Sequence, residues 1–149
     1  MTDRILVDTN VVVYAYDRSE PAKQAQALTV LNELAGSRAG VLSAQVLSEF
    51  FNAVTRRIVD PLTFEEAYAR VRNLMLAWPV LDITPLIVLE AARGAVQHQM
   101  RIWDAQIWAT ARLNQIPVIF SEDFSDGAVV EGIRTVNPFG RQFQMNQWI

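Results

Sequence analysis

The stretch Arg4-Ile5-Leu6-Val7-Asp8-Thr9-Asn10-Val11 determines the predicted fold, because a run of aliphatic residues ends abruptly at a carboxylate. Such a run predicts a buried strand, and near the N-terminus it suits the central strand of a parallel sheet. Ligands of open α/β sheets bind beyond the carboxyl ends of the strands, so Asp8 lies where chemistry is expected. A second interpretation stays open at this point: Asp8, Thr9 and Asn10 are also preferred residues of a turn and helix cap.

Length and composition limit the possible classes of protein. The 149 residues suffice for one domain, which we place at residues 1–139 with a C-terminal tail at 140–149. The hydrophobic fraction of 51% indicates a globular rather than a disordered chain. No apolar run approaches the ~18 residues of a membrane span, so we expect a cytoplasmic protein without membrane contact.

The charged residues limit how the chain can bind other molecules. Its net charge of −3 argues against bulk electrostatic binding of nucleic acid, so any attraction to phosphate must be local. Arginine is the better bidentate partner for phosphate, and Lys23 is the only lysine. Weak phosphate-binding candidates are Arg18, Arg56 and Arg101. Since cysteine is absent, a metal would have to be held by oxygen or by the single histidine, His98.

Strand and helix signals alternate along the chain. Capping residues and hydrophobic periodicity predict helices over 11–17, 21–36, 44–57, 64–78, 85–97 and 102–114. After the first strand, short apolar runs predict strands over 40–43, 80–83 and 117–121, with a possible fifth over 134–136. This alternation predicts an α/β fold, a three-layer α/β/α sandwich with a central, mostly parallel sheet of four to five strands. The tail either frays or packs on a partner.

Two helical carboxylates stand out when the helices are projected at 100° per residue. Glu49 falls on the face opposite the apolar stripe of its helix, where a solvated surface glutamate is the simpler interpretation. Asp104 shares a face with Ile107, Trp108 and Ala111, a stripe that is expected to be buried. A buried carboxylate is costly unless it is paired, and the helix dipole offsets only ~0.3–1 kcal/mol of that cost. We therefore predict a functional role for Asp104.

A second apolar run ends at acids in Ser121-Glu122-Asp123-Phe124-Ser125-Asp126-Gly127, which could also be an acidic surface turn. A parallel sheet would bring Asp8, Asp104 and Asp123 to one edge. Carboxylates ~4 Å apart repel by ~4 kcal/mol per pair at an effective dielectric constant near 20, so such a cluster requires a cation. Oxygen ligands alone favour Mg²⁺ or Mn²⁺. Such an ion activates water and neutralises charge on a leaving oxygen of a phosphodiester.

The remaining unusual residues have structural interpretations. His98 lies at a predicted helix end, where we expect a cap or a surface position. Three tryptophans, Trp78, Trp103 and Trp108, lie in or beside helices, and we expect all three in the core rather than as stacking platforms.

The order and spacing of these pieces resemble the PIN-domain ribonucleases, and specifically the toxins of bacterial VapBC-type toxin–antitoxin pairs. The resemblance covers essentially the whole domain; its pieces are Val7–Ala15, Leu47–Asn52, Trp103-Asp104-Ala105, Ser121–Phe124 and Val136–Phe139. It implies an α/β/α sandwich, RNA as substrate, Mg²⁺ or Mn²⁺ as cofactor, a homodimer and a small antitoxin. The implied catalytic and metal-binding acids are Asp8, Glu49, Asp104 and Asp123, with Asp126 as a further candidate ligand. The implied supporting polar groups are Thr9, Asn10 and Ser121.

Two other classes of protein compete with this hypothesis. Phosphoaspartate proteins, such as receiver domains and haloacid-dehalogenase-like phosphatases, also place acids at strand ends and bind Mg²⁺. They use a lysine near the phosphate, whereas Lys23 lies early in a helix. The other alternative is a catalytically inactive binding module, which the presence of all four acids disfavours.

Overall fold

The computed structural model describes residues 3–149, in which six strands form one sheet flanked by helices. The strands lie in the order β3-β2-β1-β4-β6-β5. Their bounds are β1 Ile5–Val7, β2 Gly40–Ser43, β3 Val80–Leu81, β4 Val118–Phe120, β5 Val129–Val130 and β6 Ile133–Val136. The predicted α/β fold with a mostly parallel sheet is confirmed, with one strand more than the four to five expected.

Strand β1 is central, as predicted from its continuous apolar run. It pairs in parallel with β2 on one side and β4 on the other, and its three residues are fully buried. Val7 is in register with Phe120, so the chain leaves β1 and β4 side by side. Because the strand order changes direction between β1 and β4, their carboxyl ends open the crevice where ligands bind in such sheets.

The six α-helices begin and end close to the predicted positions. Their bounds are α1 Thr9–Tyr14, α2 Pro21–Ser37, α3 Ala44–Arg56, α4 Phe64–Ala77, α5 Pro85–His98 and α6 Ile102–Leu113. Ser43 caps α3, and its hydroxyl accepts a hydrogen bond from the Val46 amide at 3.3 Å. Thr63 and Glu66 form the expected capping box at α4. Local capping chemistry therefore sets these helix starts.

The unpredicted strand, β5, forms an antiparallel hairpin with β6. Its turn consists of Glu131 and Gly132, whose φ angles of 48° and 85° are both in the left-handed region. A type I′ turn requires this geometry, and glycine favours it at the second position. Two-residue strands carry too little alternation to be recognised in a sequence, which explains why the hairpin was missed.

The C-terminal tail packs back on the protein itself, an arrangement that neither expected alternative included. Phe143 and Trp148 approach the buried Phe120 edge-on, with ring centroids 5.4 and 6.0 Å away. A short 3-10 helix at Met145–Gln147 lies between them. The division of the chain into a domain over 1–139 and a tail over 140–149 stays a prediction. Within residues 3–149, no helix is both long and apolar enough to cross a membrane.

Candidate active site at the carboxyl edge of the sheet

A cleft of about 330 Å³ lies at the carboxyl ends of β1 and β4. Elements distant in the sequence meet there: the start of α1, the middle of α3, the first turn of α6 and the loop after β4. The four acids predicted as catalytic residues all line it, namely Asp8, Glu49, Asp104 and Asp123. Two of the predicted supporting residues, Thr9 and Asn10, line it as well.

Asp8 is both the helix cap and the buried acid, so its two interpretations from the sequence are compatible. One carboxylate oxygen accepts a hydrogen bond from the Thr9 amide at 2.7 Å, which caps α1. The other accepts one from the Ser121 hydroxyl at 2.7 Å. Burial raises the pKa of Asp8 to about 6, although these two hydrogen bonds act in the opposite direction.

Glu49 is held toward Asp8 by its neighbours. Its Oε1 accepts hydrogen bonds from the Thr9 hydroxyl at 2.9 Å and from the Gln45 side chain at 3.3 Å. Gln45 is itself fixed, because its Oε1 accepts a hydrogen bond from the buried Gln106 at 2.8 Å. The polar face of α3 that the projection assigned to solvent therefore faces the cleft at Glu49.

Asp104 and Asp123 complete the acidic lining without such support. Within residues 3–149 neither carboxylate takes part in a hydrogen bond or an ion pair. Desolvation raises the pKa of Asp104, and repulsion from Asp123 raises it further, while Arg101 acts in the opposite direction. Asp104 is half-buried rather than fully buried, since it lies at the lip of the cleft.

The donor chemistry of the cleft fits a hard divalent cation. Asp123 and Glu49 both contribute to the raised pKa of Asp8 and of Asp104, which is the response expected of like charges that share a site. Within residues 3–149, however, no three or more His, Asp or Glu side chains are grouped so that they could hold a metal ion in their present rotamers. Ion binding would therefore require acids of the cleft to move closer together.

A polar network fixes the loop that carries Asp123. Asn10 donates to the Ser121 hydroxyl at 3.2 Å and accepts from the Glu122 amide at 3.1 Å. The Glu122 carboxylate in turn accepts hydrogen bonds from Tyr14 and Lys23, both at 2.6 Å. Lys23 is therefore engaged with Glu122, which removes the feature a phosphoaspartate site would need.

Some predicted site residues lie elsewhere. Asp126 is exposed and does not line the cleft; its carboxylate accepts a hydrogen bond from the Asn137 amide at 2.9 Å. Arg18 and Arg56 are exposed and do not line it either. Arg101 is also exposed and does not line the cleft, although its charge lowers the pKa of Asp104.

Comparison with known proteins identifies the family. The family described as PIN domain matches residues 5–125. The chain belongs to the PIN domain family. The matched region contains the four predicted acids that line the cleft and ends before Asp126. None of the curated proteins compared with the chain matches it.

Solved structures share this PIN fold. A toxin–antitoxin complex from Klebsiella pneumoniae has a chain 18% identical, with a TM-score of 0.64 over 90% of this chain and 97% of that one. VapC20 of Mycobacterium tuberculosis, a toxin that cleaves the sarcin–ricin loop, is 24% identical, with a TM-score of 0.64 over 87% and 98%. VapBC2 of Rickettsia felis, bound to a DNA fragment from its promoter, is 14% identical, with a TM-score of 0.61 over 88% and 96%.

Several residues that line this PIN domain's cleft were not among the predicted site residues, including Tyr14 and Asp17. Asn52 and Arg57 of the α3 region line it as well, and Arg57, not the neighbouring Arg56, is the arginine among the lining residues. The prediction that Trp103 lies in the core was wrong, because its residue surface is 58% exposed at the lip of the cleft. Trp78 and Trp108 are buried as expected, and His98 is exposed at the end of α5.

Proposed function

We propose that this PIN domain is an endoribonuclease that hydrolyses RNA phosphodiester bonds with Mg²⁺ or Mn²⁺. The observation that carries the proposal is the meeting of the four predicted acids on one cleft, where burial and like charges raise the pKa of Asp8 and of Asp104. When bound there, a divalent ion supplies Lewis-acid chemistry: it makes water more acidic and offsets charge on the leaving oxygen. The residues that would hold it are Asp8, Glu49, Asp104 and Asp123.

The chain contributes position and charge to this chemistry. Ser121 and Thr9 fix the Asp8 carboxylate, and Thr9 also fixes Glu49, so half of the acidic lining is preorganised. Asn10 ties the loop carrying Asp123 to the start of α1. Arg57 lies on the same cleft and supplies a guanidinium for a phosphate of the substrate.

The decisive experiment is RNA cleavage by the purified chain with Mg²⁺ or Mn²⁺, before and after addition of a chelator. We expect cleavage that needs the ion and that Asp8→Asn reduces by at least about 100-fold, since even indirect metal partners contribute 10–100-fold. Asp82→Asn, an exposed acid outside the cleft, is the matched control and should cleave normally. Cleavage that persists in chelator, or in Asp8→Asn, would overturn the proposal.

We further propose that the protein is a cytoplasmic toxin controlled by a small antitoxin. The fold shared with toxin–antitoxin proteins supports this role, as do exposed apolar side chains on two helices, which are available for protein contacts. On α4 these are Phe64, Tyr68, Met75 and Leu76, and on α5 they are Leu86, Val88, Leu89 and Val96. A homodimer would use part of this surface.

Expression in a bacterial host tests the toxin role separately from the chemistry. We expect growth arrest by the wild-type chain, no arrest by Asp8→Asn, and relief when a neighbouring small open reading frame is co-expressed. Mass measurement of the purified chain tests the homodimer. Cleavage in vitro without growth arrest would leave a nuclease that is not a toxin.

A further inference from the structure

Trp103 has an environment that its role in folding does not explain. Its residue surface is 58% exposed, whereas Trp108 on the same helix is 2% exposed. Exposing a tryptophan gives up the burial of a large apolar ring, a side chain that normally dominates cores and interfaces. The residue directly precedes Asp104, so the ring stands beside the acids of the cleft.

The backbone of Trp103 is held in place although its ring is exposed. Its carbonyl accepts a hydrogen bond from the Gln45 side chain at 3.0 Å. The same Gln45 amide group also donates a hydrogen bond to Glu49, and Gln45 in turn accepts a hydrogen bond from Gln106. One buried polar network therefore sets the position of Trp103 relative to a catalytic carboxylate.

A second groove adjoins the cleft at this point. It has a volume of about 480 Å³ and shares Glu49, Arg57 and Trp103 with the acidic cleft. Its other lining residues include Ser48 and Ile83, so away from the acids the groove is neutral. An extended polymer bound at the acids would pass Trp103 and Arg57 and continue into this groove.

Electrostatics alone cannot hold a polyanion at this site. The net charge of the protein is −3, its only lysine is paired with Glu122, and five acids line the cleft, Asp17 in addition to the four predicted. Attraction that does not depend on charge is therefore needed. Stacking of a base on an aromatic ring contributes about 1–3 kcal/mol per base and requires an unpaired base.

We propose that Trp103 is a stacking platform for an unpaired nucleobase of the RNA substrate, with Arg57 binding the adjacent phosphate and the neighbouring groove accepting the continuing strand. This inference rests on the proposed nuclease function and specifies its substrate as single-stranded or looped RNA. Trp103 is a positioning residue here, since it aligns the backbone with the acids without touching the reacting atoms.

The test measures binding in an Asp8→Asn background, in which the RNA stays intact. A short unpaired oligoribonucleotide is titrated in Mg²⁺ and compared with the same oligonucleotide carrying one abasic position at each site in turn. We expect Trp103→Ala to weaken binding by about 5- to 100-fold and Trp103→Phe to retain most of the affinity. At one of these positions, loss of the base should weaken binding to the protein that keeps Trp103. The same loss should not weaken binding to the Trp103→Ala variant any further.

The matched control is Leu28→Ala, which truncates another exposed apolar side chain, on α2 and away from the cleft and its neighbouring groove. It should leave the affinity for RNA unchanged. Cleavage by the chain with an intact Asp8 supplies a kinetic readout, in which Trp103→Ala raises KM more than it lowers kcat.

Each outcome separates this inference from the function on which it rests. If RNA binding depends on Trp103 but the chain with an intact Asp8 does not cleave RNA, the proposed nuclease function is wrong and the stacking role of Trp103 is supported. If the chain cleaves RNA and Trp103→Ala changes neither the affinity for RNA nor the KM, the stacking role of Trp103 is wrong and the nuclease function is supported. If Trp103→Ala instead disrupts self-association while RNA affinity is unchanged, Trp103 belongs to a protein interface and the inference is wrong.

Discussion

Two groups of acids in this protein experience opposite environments. In the cleft, burial and neighbouring carboxylates raise the pKa of Asp8 to about 6. Beside the β5–β6 hairpin, hydrogen bonds from Arg93 and His98 lower the pKa of Glu131 to about 2. Glu131 lies 2.9 Å from an Arg93 nitrogen and 2.6 Å from His98 Nε2.

The comparison shows which group serves the fold and which serves function. Around Glu131, charges alternate: Arg112 and Arg93 also bind Glu90, at 3.0 and 2.7 Å, so the hairpin is tied to α5 and α6. Around Asp8, like charges are gathered, and Asp123 and Glu49 both contribute to its raised pKa. An arrangement that costs stability and persists in a folded domain indicates a functional site.

The largest expected effect is a gain of stability when the cleft loses an acid. Because the folded-state pKa of Asp8 lies above its ordinary value, ionised Asp8 destabilises the fold at a pH above about 6, and the cost vanishes as the pH falls toward 4. Without metal at a pH near 8, Asp8→Asn should raise the free energy of unfolding by about 1–3 kcal/mol. Chemical denaturation measures this change.

Two additions make that measurement decisive. Mg²⁺ should stabilise the wild-type protein more than Asp8→Asn, since only the wild type keeps the full set of acids. Asp123→Asn, which replaces an exposed carboxylate of the same cleft, should change the metal-free stability by no more than about 0.5 kcal/mol. A metal-free Asp8→Asn variant that is less stable than the wild type at high pH would contradict the assignment of strain to the cleft.

Replacement of Glu131 should have a smaller effect of opposite sign. Its lowered pKa means that the ionised carboxylate stabilises the fold above the ordinary pKa of glutamate, and that this contribution is lost as the pH falls toward 2. Glu131→Gln should therefore lower the unfolding temperature at neutral pH, and the difference should disappear in strong acid. Glu33→Gln, an exposed acid on α2, is the control. A pH-independent difference would mean that the hairpin turn, not the charge, was perturbed.

The sequence was sufficient to place residues whose positions follow from local patterns. The buried run before Asp8 and the run before Ser121 predicted two strands of one parallel sheet, and the structure pairs them directly, which brings their ends together. Asp104 was singled out because of an apolar stripe, yet residues 105–111 are all buried, Gln106 and Thr110 included. After its first turn, α6 is buried on nearly all sides, so its apolar stripe is not its only buried face. The periodicity therefore pointed to Asp104 for a reason that is only partly correct.

Other site residues depend on tertiary placement that no local pattern encodes. Arg56 and Arg57 are neighbours in the sequence, and the end of α3 alone decides which of them faces the cleft. Trp103 was assigned to the core by its apolar ring, although hydrophobicity does not require burial. The tail was also undecidable, because its contact with Phe120 links residues far apart in the chain.

The smallest effect on stability is expected at the ion pair next to the cleft, between Lys23 and Glu122. It is partly exposed, with 36% and 26% of the two side-chain surfaces accessible, so Lys23→Gln should cost only about 0.2–1 kcal/mol. The same substitution should have a clearer effect on the rate of cleavage than on stability, because Glu122 anchors the loop that carries Asp123. We expect a several-fold fall in kcat with the unfolding temperature almost unchanged, since a small displacement of a catalytic group is costly.

Lys23→Arg separates charge from shape at this position. It retains the cation and should recover most of the activity that Lys23→Gln loses, whereas Tyr14→Phe removes only the second hydrogen bond to Glu122 and should have a weaker effect. Equal losses of activity and stability in Lys23→Gln would place this ion pair with the structural group around Glu131. A loss of activity alone places it with the cleft, where fixed geometry, and not stability, is what the surrounding residues provide.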